Sequence, residues 1–335
     1  MKKSLLALAV AAALPAVAFA QTNIVLNGSL DMSLESVNAD ANGGPVNGTS
    51  DLRVTNGVWA GSRLAVTGTE ELGGGLKGIF NIEHRLSPDT GTVTSGAVFW
   101  AGQAWVGLQG GFGAIRLGRQ YTPLFRAIVP GDTTGYSWYN NSVGLAGTAI
   151  RFDNNISYQS PVLGGFTLHA NYAAGEAPAP AAGPRDKRLG DAFGVAGVGA
   201  FGPVNLGVGF HSIEQAPGVD KRTEAAVSVG AKFGNFGVGI AGAQTDNGAA
   251  VNNKRKAFFG SLSAGLGAGT VYLTFLKDDR GLNDQDNTGL GLTYSHGLSK
   301  RTFLYASLGL NTIDAAPGGQ DVKPRSVALG VRHFF

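Results

Sequence analysis

From Ile24 to Glu35 the chain alternates. Ile24, Leu26, Leu30, Met32 and Leu34 share one parity; Asn27, Ser29, Asp31, Ser33 and Glu35 share the other. A period of two marks a β-strand with one apolar and one polar face, whereas a helix would scatter the polar residues around Leu30 and Leu34. The same alternation returns along the chain. It predicts strands at 23–36, 57–70, 75–87, 98–109, 112–120, 149–159, 164–173 and 192–201. It predicts eight more at 203–213, 223–233, 235–244, 256–266, 268–278, 286–296, 301–312 and 323–335. The connections alternate as well. Those at Leu72 to Gly74, Gly110-Gly111, Ser160 to Leu163, Gly202, Gly234, Gly267-Ala268 and Gly297 to Lys300 are short. Those at 37–56, 88–97, 121–148, 174–191, 214–222, 245–255, 279–285 and 313–322 are long.

An even set of strands with short turns at one end and long loops at the other predicts an all-β fold, a transmembrane antiparallel β-barrel of about sixteen strands. Hydrocarbon offers no water to an unpaired N–H or C=O, so a sheet can span it only by closing on itself. A secreted β-solenoid would show a fixed repeat period, and these strands share a pattern but no motif. The Ala-Pro stretch within 174–191 reads as an exposed loop, because the strand rhythm resumes unchanged after it. The last strand carries Val327, Leu329, Val331 and Phe335 on one parity, and a terminal Phe suits the aromatic girdle at a membrane interface.

Composition agrees with this picture. Glycine supplies 53 of 335 residues, about twice the usual ~7%. Charged residues are 15%, against about 25% in a soluble domain. Residues 1–20 read as a cleaved signal peptide: Lys2 and Lys3, the apolar run Leu5 to Leu14, and Ala18-Phe19-Ala20 as the cleavage site. Residues 21–335 then form the barrel, and no later stretch approaches the ~20 apolar residues of a transmembrane helix. Removing Lys2 and Lys3 takes the formal charge from +3 to +1, which argues against nucleic acid as a partner. The absence of cysteine excludes disulfides and zinc–thiolate sites.

Little in the chain points to catalysis. His84, His169, His211, His296 and His333 are scattered, and none has a nucleophile motif or metal-ligand spacing. Gly197-Val198-Gly199-Ala200-Phe201-Gly202 matches the dinucleotide fingerprint only formally, since Pro203 opens another strand and no helix follows. The expectation is a protein that is not an enzyme and uses neither cofactor nor metal.

Parity also assigns the charges. Arg63 opposes Leu64 and Val66; Glu83 and Arg85 oppose Phe80 and Ile82; Arg151 opposes Ile150 and Phe152; Arg116 opposes Ile115 and Leu117. A lipid-facing Arg at mid-depth costs about 2–4 kcal/mol, so these side chains should face the lumen. Arg119 has the parity of Ile115 and Leu117, and reaches the lumen only through a bulge or if the strand ends before it. Lys254-Arg255-Lys256 is a basic run at a loop edge, either solvated or a lipopolysaccharide contact through charge-assisted bonds to phosphate.

Several stretches resemble the Gram-negative general porin family of the Burkholderia, Comamonas and Neisseria type. They are Gly61 to Leu64 with Gly68 to Lys77, Gln103 to Leu108, Gly113 to Leu124, Ser157 to Pro161 with Gly164 to Phe166, and Val331 to Phe335. The resemblance runs the length of the mature chain. It implies a homotrimeric porin of the cell outer membrane, with the third long loop folded into the barrel. Function then follows as passive diffusion of small hydrophilic solutes and ions through a water-filled channel. The resemblance places Arg63, Glu83, Arg119 and Arg151 at a constriction, and makes Phe335 an assembly signal. Arg85, Arg116 and the loop acid Asp132 complete the candidate set. Arginines outnumber acids in it, which predicts a weak to moderate anion preference. Ala101-Gly102 stands where many relatives carry arginine, which limits its strength. The alternative is an adhesin or structural barrel whose extracellular loops bind a partner.

Overall fold

The computed structural model describes residues 22–41, 44–45, 51–94, 98–175, 189–215, 219–248, 254–281, 286–314 and 321–335. The expected signal peptide lies outside the described residues. Sixteen strands form the wall. They are β1 (Thr22–Ala41), β2 (Ser62–Gly73), β3 (Leu76–Ser87), β4 (Gln103–Gly110), β5 (Gly113–Tyr121), and β6 (Arg151–Phe152 continued by Asn155–Gln159). Next come β7 (Phe166–Ala173), β8 (Ala192–Phe201), β9 (Val204–Ile213), β10 (Arg222–Phe233) and β11 (Phe236–Asp246). The wall ends with β12 (Lys254–Leu266), β13 (Gly269–Asp279), β14 (Asn287–Gly297), β15 (Thr302–Ile313) and β16 (Val322–Phe334).

Each strand pairs antiparallel with the next, and β1 closes the ring. It pairs with β2 through Ile24↔Gly68 and Gly28↔Leu64, and with β16 through Leu30↔His333 and Leu34↔Leu329. At the seam Gly28 N–H donates to the Phe335 carbonyl, and Phe335 N–H donates back to that of Gly28. The two faces invert the usual soluble arrangement. Val208 and Val227 are 58% and 62% exposed on the outside, while Ser228, Thr274, Thr293 and Ser307 are buried inside. Only a hydrocarbon surround makes that outer face favourable.

Segment 122–150 crosses the interior. Helix α1 (Pro123–Ile128) opens it, capped by Thr122, whose hydroxyl accepts from Phe125 N–H, with Pro123 in the first turn. The strand pattern gives no hint of this helix; the Thr-Pro pair does. Leu124, Ile128, Leu145 and Ala146 bury against Ala226, Ala241, Ala243, Ala257 and Phe259 of the inner wall. The wall is made to receive them. Ala196, Gly209, Ala226, Ala243 and Ala257 stand opposite one another across five adjacent strands, a row with almost no side-chain height. Beside it, a methyl at Gly207 would overlap the Ala127 carbonyl oxygen, at Gly230 that of Pro130, and at Gly291 that of Tyr139. Part of the glycine richness is thus a seat for backbone, not only a device for turns and lipid-facing strands.

Wall side chains complete the segment's hydrogen bonds. Leu124 N–H donates to His211 Nε2 (3.1 Å), Ser228 donates to the Ala127 carbonyl (2.6 Å), and Thr133 N–H donates to Ser261 (3.0 Å). Thr274 donates to the Tyr139 carbonyl (2.9 Å), and Ala149 N–H donates to Glu224 (2.9 Å). Buried backbone away from secondary structure needs such partners.

Two outcomes follow. Val208→Arg, on the outer face, should lower stability by about 2–4 kcal/mol, while Asn205→Arg, on the inner face of the same strand, should stay within about 0.5 kcal/mol. Urea titration in lipid vesicles measures both. The double change Gly207→Ala, Gly230→Ala should lift the segment at a local cost of about 1–3 kcal/mol. Amide exchange should rise across residues 124–134 and not in β13 to β15.

Candidate functional site

A cavity of about 620 Å³ lies between segment 122–150 and the wall of β2 to β6. Arg63, Arg85, Arg119 and Arg151 line it from the wall, and Tyr136, Asn141 and Val143 from the segment. Four of the seven residues named as constriction candidates from the sequence meet here.

Each arginine has its own support. Arg63 and Arg85 stand directly opposite across β2 and β3, a pairing of like charges that costs free energy. Glu83 offsets it: its Oε1 accepts from Arg85 Nε at 2.8 Å and pairs with Nη2 at 2.7 Å. The Glu83 carboxylate is buried and fits only because residue 102 has no side chain; a Cβ there would overlap it. The Arg63 side chain makes no hydrogen bond or ion pair among the described residues. Arg151 donates to the Tyr121 hydroxyl (2.9 Å) and lies over that ring, 4.5 Å from its centroid. Arg119 donates to the Ala101 carbonyl (3.1 Å) and to Asp153 (2.6 Å), a mostly exposed acid. Its wrong parity is resolved by Gly118. A φ of +121° there breaks the alternation within β5, a backbone state open to glycine.

The other candidates lie apart. Arg116 faces inward, but its terminal nitrogens donate to Gln159 (both 3.1 Å), outside this cavity. Asp132 also lies outside it, and its carboxylate is spent within the segment. It accepts from Thr134 N–H (2.8 Å), the Thr134 hydroxyl (2.6 Å) and the Ser142 hydroxyl (2.5 Å). Asp132 is the sole acid between 122 and 150. Burial, with Asp132 and Tyr121 nearby, raises the Tyr136 phenol, and burial with the bond to Glu35 raises that of Tyr139. Both stay protonated as donors, Tyr136 to the Phe125 carbonyl (3.2 Å) and Tyr139 to Glu35 (2.6 Å). The segment therefore presents no negative charge to the arginines.

Sequence reasoning passed over the residues that dock the segment. The tip residue Trp138 packs on Trp59 (4.5 Å between centroids) and Tyr305 (5.1 Å). Residues 57–61 turn inward instead of starting β2, because Asp31 accepts from Trp59 N–H (3.0 Å), Ala60 N–H (3.1 Å) and the Tyr305 hydroxyl (2.8 Å). Arg126 on α1 was also missed. Burial lowers its guanidinium from the ordinary value, and Tyr121 and Tyr136 oppose the shift.

The basic run at 254–256 does not act as one patch. Lys254 and Lys256 are exposed on the outer face, while Arg255 points inward and forms a fork with Asp278. A strand sends successive side chains to opposite faces. The Phe335 ring packs on Gly28 at the seam.

The family model described as Gram-negative porin matches residues 7–316. Outer membrane porin protein 32 of Delftia acidovorans is 33% identical over 368 residues, covering all of both chains. An outer membrane porin protein of Bordetella pertussis is 27% identical, again covering all of both. Among solved structures, the anion-selective porin from Comamonas acidovorans superposes with a TM-score of 0.79 at 26% identity, covering 94% of this chain and 100% of that one. Closed wall, inward segment and these relationships agree: the chain belongs to the Gram-negative porin family of the outer membrane.

Proposed function

We propose that this porin passes small hydrophilic solutes and ions by diffusion through a water-filled channel with a weak to moderate anion preference, and catalyses nothing. One observation carries the preference: Arg63, Arg85, Arg119 and Arg151 face a segment whose only acid is turned away from them. Arg85 and Arg119 have carboxylate partners, so the excess rests on Arg63 and Arg151. A narrow passage with low-dielectric walls and uncompensated arginines concentrates anions, and the effect fades with salt because the Debye length is about 10 Å at 0.1 M. The solved relative of similar fold is itself described as anion-selective. Arg63, Glu83, Arg85, Arg119 and Arg151 form the constriction in this reading; Arg116 and Asp132 act outside it. The assembly is a homotrimer in outer-membrane lipid, as the family resemblance implies. Phe335 serves as assembly signal, and Lys254 and Lys256 meet lipopolysaccharide phosphate.

Reversal potentials in planar bilayers across a KCl gradient should show chloride preferred over potassium in dilute salt. A two-unit charge change about 12 Å from a passing ion is worth about 0.7 kcal/mol in water, with opposite sign for chloride and potassium, so Arg63→Glu should lower the chloride-to-potassium ratio roughly tenfold. The effect should shrink at high salt. Potassium preference in the unaltered protein would overturn the charge assignment. A barrel that inserts and never conducts would favour an adhesin or structural role. Native mass spectrometry should find three copies; a monomer alone would remove the trimer.

A further inference from the structure

A second group of cations lies outside the arginine cavity, between α1 and the wall of β5 to β9. Arg116 faces inward on β5 with its guanidinium over the Trp105 ring, 5.1 Å from the centroid. Its terminal nitrogens share one acceptor, Gln159 Oε1, and its buried Nε has no partner. Gln159 stands directly opposite His169 on β7, His169 opposite Ala196 on β8, and Ala196 opposite Gly209 on β9. Helix α1 rests on this row: a Cβ at Gly209 would sit 3.1 Å from both Ala127 Cβ and Leu124 Cδ1. Arg126, next to Ala127, comes within electrostatic reach of Arg116, His169, Tyr121 and Tyr136. Its side chain makes no hydrogen bond or ion pair among the described residues, and no carboxylate there pairs with Arg116.

Two guanidinium groups within electrostatic reach repel each other, and each has lost part of its hydration. Structural arginines usually answer that cost with a carboxylate. Here, among the described residues, the donors meet one neutral acceptor, Gln159, and no carboxylate. Guanidinium forks match the oxygens of a tetrahedral oxyanion, and charge-assisted bonds of this kind are the strong ones.

We infer that Arg116 and Arg126, with His169 beside them, bind a small oxyanion of the phosphate or sulfate type. Arg116 is three residues before Arg119 on β5, so this station lies about 10 Å along the strand from the arginine cavity, toward the short-turn end. The inference rests on the channel reading only for how the anion arrives. Two stations in series let an anion leave the constriction by stepping to the second, the multi-site condition for both entry and release.

Crystals soaked in sodium selenate test the site without conduction. An anomalous peak should appear with its selenate oxygens within hydrogen-bond distance of Arg116 Nε and the Arg126 guanidinium, and Arg126→Gln should abolish it. In bilayers, inorganic phosphate should reduce the chloride current of the unaltered channel in a saturable way. Arg126→Gln should raise the phosphate concentration needed by about tenfold, the loss expected for one charge-assisted contact. Arg116→Gln should do the same, and serves if the first variant fails to assemble. No selenate at the pair, or phosphate inhibition unchanged in both variants, overturns the proposal. Selenate at the pair in a barrel that never conducts keeps the site and removes the channel reading instead.

Discussion

Backbone hydrogen bonding in hydrocarbon is the constraint on which this structure depends. A peptide group facing lipid has no water to turn to, so the sheet must close, and β1 closes it by pairing with β2 on one edge and β16 on the other. Closure imposes strict alternation, because every strand then has lipid outside and lumen inside. Alternation in turn moves the polar and charged side chains into the interior, where Ser228, Ser261 and Thr274 become anchors for a segment that has left the wall. The same rule that shapes the lipid face thus furnishes the lumen with hydrogen-bonding groups.

The interior segment answers the same demand by different means. Outside α1 it has little regular structure of its own, yet it runs through protein, so its amides and carbonyls must find partners. The wall supplies hydroxyls, His211 and Glu224 at the points of contact. It also supplies glycines and alanines where backbone comes closest, as at Gly207, Gly230 and Gly291. Small residues set how near the segment lies to β9 through β14, and therefore how much passage remains on the arginine side.

What the sequence made legible divides along one line. Period-two alternation revealed sixteen strands and the inward parity of Arg63, Glu83, Arg85, Arg116 and Arg151, since burial on one face writes itself directly into residue type. Strand ends were less legible. β2 begins at Ser62 and not at 57, because the buried carboxylate of Asp31 captures the Trp59 and Ala60 amides from a distant part of the chain. Arg119 was ambiguous because one glycine with positive φ resets parity, and parity counting cannot see φ. Asp132 and Arg255 misled for a related reason. A charge in a sequence shows no partner, and theirs are Thr134 with Ser142, and Asp278, respectively. The short helix left a Thr-Pro cap as its sole local trace.

Charge balance at the arginine cavity then turns on where carboxylates are spent, more than on how many arginines there are. Glu83 lies against Arg85 because Gly102 leaves room for it, and a bulkier residue at 102 would displace that carboxylate. Absence of an arginine at 101 and 102 therefore does two things: it removes positive charge, and it lets an acid neutralise one of the cations that remain. Working the other way, Thr134 and Ser142 hold Asp132 inside the segment, which withholds the one acid that could face Arg63 and Arg151. Low-dielectric walls magnify whatever imbalance survives. A modest number of arginines can bias the passage because Thr134 and Ser142 keep the one carboxylate of the facing segment occupied.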